Sequence, residues 1–273
     1  MTYFAPDNLE DALAQLDTET TSVVSGGTDF FPGMQQGPAP ESILDISRVE
    51  GLRGVSHESG GWRIGATTTW TDIIRANLPA AFDGLKQAAC EVGSLQIQNT
   101  GTLAGNLVNA SPAADGVPPL LSLRAQVELA SVRGVRVLPL SEFITGVRQT
   151  ALQAGEMVTA ILVPPQPDHA RAAFNKLGSR KYLVISTAMV SAVIGRDSQG
   201  RIDHACVAVG ACSPVAQRLP ALETDLIGTT ADVQITTAHL SPLAPISDVR
   251  GSGEYRLGAV AELIRRTVAG ASA

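Results

Sequence analysis

The sequence predicts an α+β fold built in two parts, and three observations predict it. Short strand-like and helix-like segments alternate irregularly as far as Val163. The prolines Pro164-Pro165, with Pro167-Asp168 just beyond, then interrupt the chain, because proline removes a backbone donor and fixes φ. After them, three strand-like runs joined by tight turns give way to helical spacing. The expected domains are therefore 1–165 and 166–273.

Each element has its own reason. Asn8 caps a helix over 8–16, with Glu10 and Asp11 in its first turn and Leu9, Ala12, Leu13 and Leu16 on one face. Thr21-Ser22-Val23-Val24 reads as a short strand running into Ser25-Gly26-Gly27-Thr28-Asp29, and Ile43-Leu44-Asp45-Ile46 as a second strand. Residues 52–55 and 62–66 form a hairpin across Gly60-Gly61. Thr71 caps a short helix through Ile73-Ile74, and a longer helix covers 79–92. From Gln98 to Pro119 neither helical nor strand periodicity holds, although Ser111 before Pro112 reads as an N-cap with proline at the first helical position. Strands resume over 127–130 and 135–138, joined across Arg133-Gly134, and again over 157–163. In the second part, strands over 172–177, 185–194 and 202–209 form an antiparallel meander, with a turn at 196–201. Helices are expected over 216–226, 231–240 and 254–268, the last carrying Leu257, Val260, Ala261, Ile264 and Val268 at a spacing of three to four.

Composition narrows the function. The 273 residues carry 26 acidic and 20 basic side chains, a net charge of −6, which argues against nucleic acid as a partner. With 44 % hydrophobic and only 17 % charged residues the chain is not disordered, and low charge with 26 glycines points to surface covered by something else. Residues 1–7 lack the basic and apolar regions of a signal peptide. The longest low-polarity stretch, 183–195, contains Ser186, Thr187 and Ser191 and is shorter than the roughly 20 residues that span a bilayer. A cytoplasmic protein with no membrane span is expected.

Two glycine-rich loops carry the chemistry: Ser25-Gly26-Gly27-Thr28-Asp29 and Asn99-Thr100-Gly101-Thr102-Leu103-Ala104-Gly105-Asn106. Glycine adopts positive φ and lets the backbone approach a ligand, and successive free N–H groups make an anion-binding concavity. Two such loops suit the two phosphates of one dinucleotide; each also reads as an ordinary tight turn. No Gly-x-Gly-x-x-Gly or P-loop motif is present. Cys90, Cys206 and Cys212 form no Cys-x-x-Cys pair, the four histidines lack zinc spacing, and no nucleophile elbow appears, so no metal ligand or catalytic residue is assigned. Lys176 reads either as a solvated cation at a strand end or as a charge that meets a flavin or phosphate oxygen.

Taken together and in order, these segments resemble the flavoprotein (medium) subunits of molybdenum hydroxylases, the xanthine dehydrogenase and carbon monoxide dehydrogenase type. Val23-Val24-Ser25-Gly26-Gly27-Thr28-Asp29-Phe30 resembles that family's Ala-Gly-Gly-Thr-Asp-Leu loop. The segment from Asn99 to Leu107 with Ala110-Ser111-Pro112-Ala113-Ala114-Asp115 resembles its second FAD loop, and Ile64-Gly65-Ala66-Thr67-Thr68-Thr69 the strand and turn between them. Lys176-Leu177-Gly178-Ser179-Arg180-Lys181 with Ile185-Ser186, and Asp248-Val249-Arg250-Gly251-Ser252-Gly253-Glu254-Tyr255-Arg256, resemble its lysine–arginine and C-terminal segments.

The resemblance implies a PCMH/vanillyl-alcohol-oxidase-type FAD-binding domain in two subdomains, of about 1–50 and 51–165, followed by a small domain with a three-stranded antiparallel sheet and helices. It implies noncovalent FAD that takes electrons from [2Fe-2S] clusters and passes them to an external acceptor. Its partners would be an iron-sulfur small subunit and a molybdopterin large subunit, in a heterotrimer or a dimer of heterotrimers. Carried over by position, Ser25, Gly26, Gly27, Thr28 and Asp29 would hold the diphosphate with Thr102, Gly105 and Asn106 of the second loop. Asp115 would meet the ribose or adenosine end, and Lys176 would lie near the flavin. A Gly27→Val change is expected to block the diphosphate and leave the fold intact. Two features depart from the pattern: Ala104 stands where many relatives have glycine, and Tyr182-Leu183-Val184 follow the basic pair where the xanthine dehydrogenase branch often has acids, which argues against NAD as acceptor. Two other readings stand beside this one: a stand-alone FAD-dependent oxidoreductase on the same fold, and a non-catalytic scaffold.

Overall fold

The computed structural model describes every residue except Met1, Glu19, Thr20, Gln36, Ser59 and Asp232. The chain opens with a strand the sequence did not announce, Thr2–Phe4, which pairs in parallel with Ser42–Asp45; Ser22–Val24 pairs in parallel on the other side. The helix Leu9–Thr18 starts as expected, with the Asn8 side-chain oxygen accepting the Asp11 N–H at 2.9 Å. Its apolar face puts Ala12 and Leu16 against Leu44, Ile46, Val49, Leu52 and Met157, a small core of its own.

A five-stranded antiparallel sheet follows, in the order Val55–Glu58, Gly61–Gly65, Met157–Val163, Gln126–Ser131, Gly134–Pro139. Alternation sends Ile64, Val127, Leu129 and Ile161 to one face. There they meet Trp70, Ile73, Phe82, Leu85, Leu103, Leu107 and Leu120 from the helices, all buried. Each such side chain contributes about 1.5–3 kcal/mol by leaving water.

In the second part the meander is present as Arg171–Leu177, Ala188–Arg196 and Ile202–Gly210, and a two-residue strand, Gln217–Arg218, extends it to four. The central strand is buried on both faces. Val190, Ala192 and Ile194 pack with Val260, Ile264 and Val268 of the terminal helix Gly253–Ala271. Val193 and Cys206 instead join the core of the first part.

Several expectations fail for local reasons. The stretch 98–119 is not irregular: Leu95–Thr100, Leu103–Val108 and Val117–Ser122 are helices of one or two turns, too short to show a period. Ser111 opens no helix; its hydroxyl accepts the Ala113 N–H at 3.3 Å in a turn, and the helix starts at Val117 with prolines in its first turn. Thr71 is not the cap of the helix Trp70–Arg75; Thr69 is, in a capping box with Asp72. The expected 79–92 helix splits into the 3-10 turn Ala80–Phe82 and the helix Asp83–Glu91. The strand expected from Ile185 begins at Ala188, and the helix expected from Ala216 begins at Pro220, where proline suits a first turn. The expected helix over 231–240 is absent among its described residues, which exclude Asp232. Its β-branched Val233, Ile235, Thr236 and Thr237 disfavour helix, and Val233, Ile235 and Leu240 pack on the core from extended and turn backbone.

Candidate FAD site

The strand Ser22–Val24 delivers the first glycine loop, and the helix Phe30–Met34 leaves it. Gly27 sits at φ +66°, where a side chain is strained, and a Cβ there would also overlap the Phe31 ring. Gly27→Val would therefore strain the loop itself as well as fill the space beside it. Gly26 faces the other loop: a Cβ on it would overlap the Thr100 carbonyl and lie 2.9 Å from the Gly101 Cα. The two loops thus meet backbone to backbone, which only glycine permits.

The second loop is fixed from behind. The Trp70 N–H donates to the Gly101 carbonyl at 3.1 Å and the Leu103 N–H to the Thr68 carbonyl at 3.1 Å. Thr102 caps the helix Leu103–Val108 by accepting the Gly105 N–H at 3.1 Å. The Asn106 side-chain oxygen accepts the Gly116 N–H at 3.2 Å, tying this helix to the next. Ala104 lies in regular helix and is buried, so its methyl group costs the backbone nothing.

Between the loops lies a cavity of about 600 Å³, lined by all of Ser25, Gly26, Gly27, Thr28 and Asp29 and by Thr102, Gly105 and Asn106. Its volume falls in the range of ligand sites. The small residues of the first loop leave its backbone open to the cavity, the chemistry a diphosphate needs, so the lining fits a dinucleotide. The carboxylate of Glu156, another lining residue, is held below the usual range by the Arg136 guanidinium, bonded at 2.6 and 2.7 Å.

Asp115 and Lys176 are not in that lining. They are brought to each other: the Lys176 Nζ donates to one Asp115 oxygen at 2.6 Å, and the Ser186 hydroxyl donates to the other at 2.5 Å. Both charged side chains are buried, 6 % and 9 % exposed, so Lys176 is not the solvated cation its position suggested. Burial pushes the Asp115 carboxyl up, against the opposing pull of Lys176 and Ser186. Lys176 also borders a second cavity of about 620 Å³ with Cys90, Glu91, Phe174, Arg180 and Lys181. Ser186 and Trp70 acquire their roles only here; the run Thr67-Thr68-Thr69 with Asp72 was the available signal for the second.

No metal site forms among the described residues. Cys206 and Cys212 are buried, and burial pushes the Cys212 thiol up to about 11.

The lining of this cavity fits a dinucleotide, and comparison with known proteins gives the chain a family. Residues 1–166 match the family described as "FAD binding domain in molybdopterin dehydrogenase", and residues 172–271 match "CO dehydrogenase flavoprotein C-terminal domain". The nicotine 6-hydroxylase medium subunit of Paenarthrobacter nicotinovorans is 32 % identical over 280 residues, 99 % of this chain and 97 % of that one. The carbon monoxide dehydrogenase medium chain of Hydrogenophaga pseudoflava is 29 % identical, covering 97 % and 95 %. The solved structure of a Cu,Mo-CO dehydrogenase aligns with a TM-score of 0.94 at 28 % identity, over 100 % of this chain and 97 % of that one. The chain belongs to the FAD-binding subunit family of the molybdopterin dehydrogenases, and is an oxidoreductase flavoprotein subunit.

Proposed function

We propose that this chain is the electron-transfer subunit of a heteromeric molybdenum hydroxylase, with its FAD held noncovalently between the two glycine loops. The observation that carries the placement is the meeting of Gly26 with Thr100-Gly101 at the mouth of a cavity lined by both loops. FAD supplies the electron exchange between [2Fe-2S] clusters on a small subunit and an external acceptor; molybdopterin belongs to a large subunit. A heterotrimer, or a dimer of heterotrimers, in the cytoplasm is the assembly that fits this role. No helix among the described residues is long and apolar enough to cross a membrane.

Within the chain, the backbone of 25–29 and the capped turn at Thr102, Gly105 and Asn106 serve the diphosphate. Asp115 is bonded to Lys176 and lies outside the loop cavity, so we place the two together at the flavin end and not at opposite ends of the cofactor. The domain boundary is placed at residue 165, between the proline pair and the meander. Neither Cys nor His lines the loop cavity, which supports a cofactor released on denaturation.

Reconstitution tests the reading. The purified chain incubated with FAD should acquire a flavin absorption spectrum and lose it to the supernatant on acid precipitation. A chain that takes up no FAD, alone or from its native complex, overturns the proposal.

A further inference from the structure

We infer that Arg256, on the C-terminal helix, is a positioning residue for the Asp115 carboxylate, acting through Thr187 and Ser186. The inference rests on the placement of Asp115 at the flavin end. Arg256 is 2 % exposed. Its Nη1 donates to the carbonyls of Thr187 at 2.7 Å and Ala211 at 2.6 Å, and its Nη2 donates to Asp248 at 2.6 Å. Those carbonyls belong to neighbouring points of the sheet: Thr187 precedes the strand Ala188–Arg196, and Ala211 follows Ile202–Gly210. Met189 and Gly210 form the last pair of the register between them. One guanidinium therefore fixes where the chain enters the central strand.

The residue before that point is Ser186, whose hydroxyl reaches Asp115. The Thr187 N–H also donates to the Leu177 carbonyl at 2.8 Å, one residue beyond Lys176. Arg256 thus sets Thr187, Thr187 sets Ser186 beside Lys176, and both set the carboxylate. The C-terminal segment is organised around this task. Asp248 receives Arg256, the Asp248–Gly251 turn closes by backbone bonds of 3.1 and 3.2 Å, and Ser252 caps the helix by accepting the Tyr255 N–H at 3.1 Å. The Arg256 Nε is buried without a partner, so the guanidinium is held through its two Nη atoms.

The test is a double-mutant cycle on the full chain with two readouts: amide hydrogen exchange over 185–187 without FAD, and FAD affinity by titration. Arg256→Met and Ser186→Ala should each weaken FAD by about tenfold, the cost of one charge-assisted hydrogen bond, and the double variant no further than either alone. Arg256→Lys should recover most of the affinity. Exchange over 185–187 should rise in Arg256→Met while the strand Ile202–Gly210 stays protected. Additive losses, or unchanged exchange, overturn the link. If Arg256→Met does not fold, Asp248→Asn, which loosens the guanidinium from its outer side, carries the same two readouts. Because exchange is read without cofactor, failure of the Arg256 link is distinguishable from failure of FAD binding itself.

Discussion

Around the glycine loops, the predicted site residues contribute mainly backbone and small side chains to the cavity; around Asp115, the groups are side chains from three separate segments, two of them charged. The first region depends on what is missing, since a Cβ at Gly26 has no room. The second depends on what is present, since each buried charge is tolerable only beside the other. One is sensitive to size and the other to charge, and substitutions separate them.

The largest effect should come from Asp115→Ala. It strands the buried Lys176 ammonium and should cost about 3–5 kcal/mol in chemical denaturation. A loss under about 1 kcal/mol would mean that the pair is not what joins the two parts here. Gly26→Ala comes next. The loops must separate, at a cost of about 1–3 kcal/mol, with a disproportionate loss of FAD. Gly258→Ala is the control, because a Cβ there meets nothing and the residue lies outside the cavity lining, and it should leave FAD affinity unchanged. Thr102→Ala removes one cap and should cost about 1 kcal/mol, with Thr102→Ser restoring it.

The smallest effect concerns acid. Glu156 is held below its ordinary value of 4.5 by Arg136, so its contribution is full above 4.5 and is lost as pH falls through the lower folded-state value. Denaturation midpoints from pH 6 downward should fall more steeply in the wild type than in Glu156→Gln, by less than about 1 kcal/mol. Parallel curves would remove charge from the account of the first region altogether.

The same contrast explains how much was legible in the sequence. The glycine loops could be read because their signals are local: Gly26, Gly27 and Gly101 announce close backbone approach. The meander and the terminal helix could be read because their periodicity runs for two or more turns or several pairs. The Asp115–Lys176 contact joins residues far apart in sequence, so neither residue's neighbours predict it, and the surface and cofactor readings of Lys176 stayed open until the fold brought the pair together. Helices such as Leu103–Val108 stayed hidden because six residues hold less than two turns. The false helix at 231–240 shows the reverse error: Val233, Ile235 and Leu240 are apolar because they pack on the core, not because they share a helical face.

The excursion from Gly178 to Ile185 is anchored at both ends on one carboxylate, by Lys176 on entry and Ser186 on exit, and is closed by the Thr187–Leu177 bond. Inside it, Arg180 bonds the nearby Leu183 carbonyl, and Tyr182, Leu183 and Ile185 stand exposed. Nothing in the anchorage measures the length or composition of what it encloses. The carboxylate therefore works as a clasp: one buried group holds the entry and the exit of an excursion whose middle faces water.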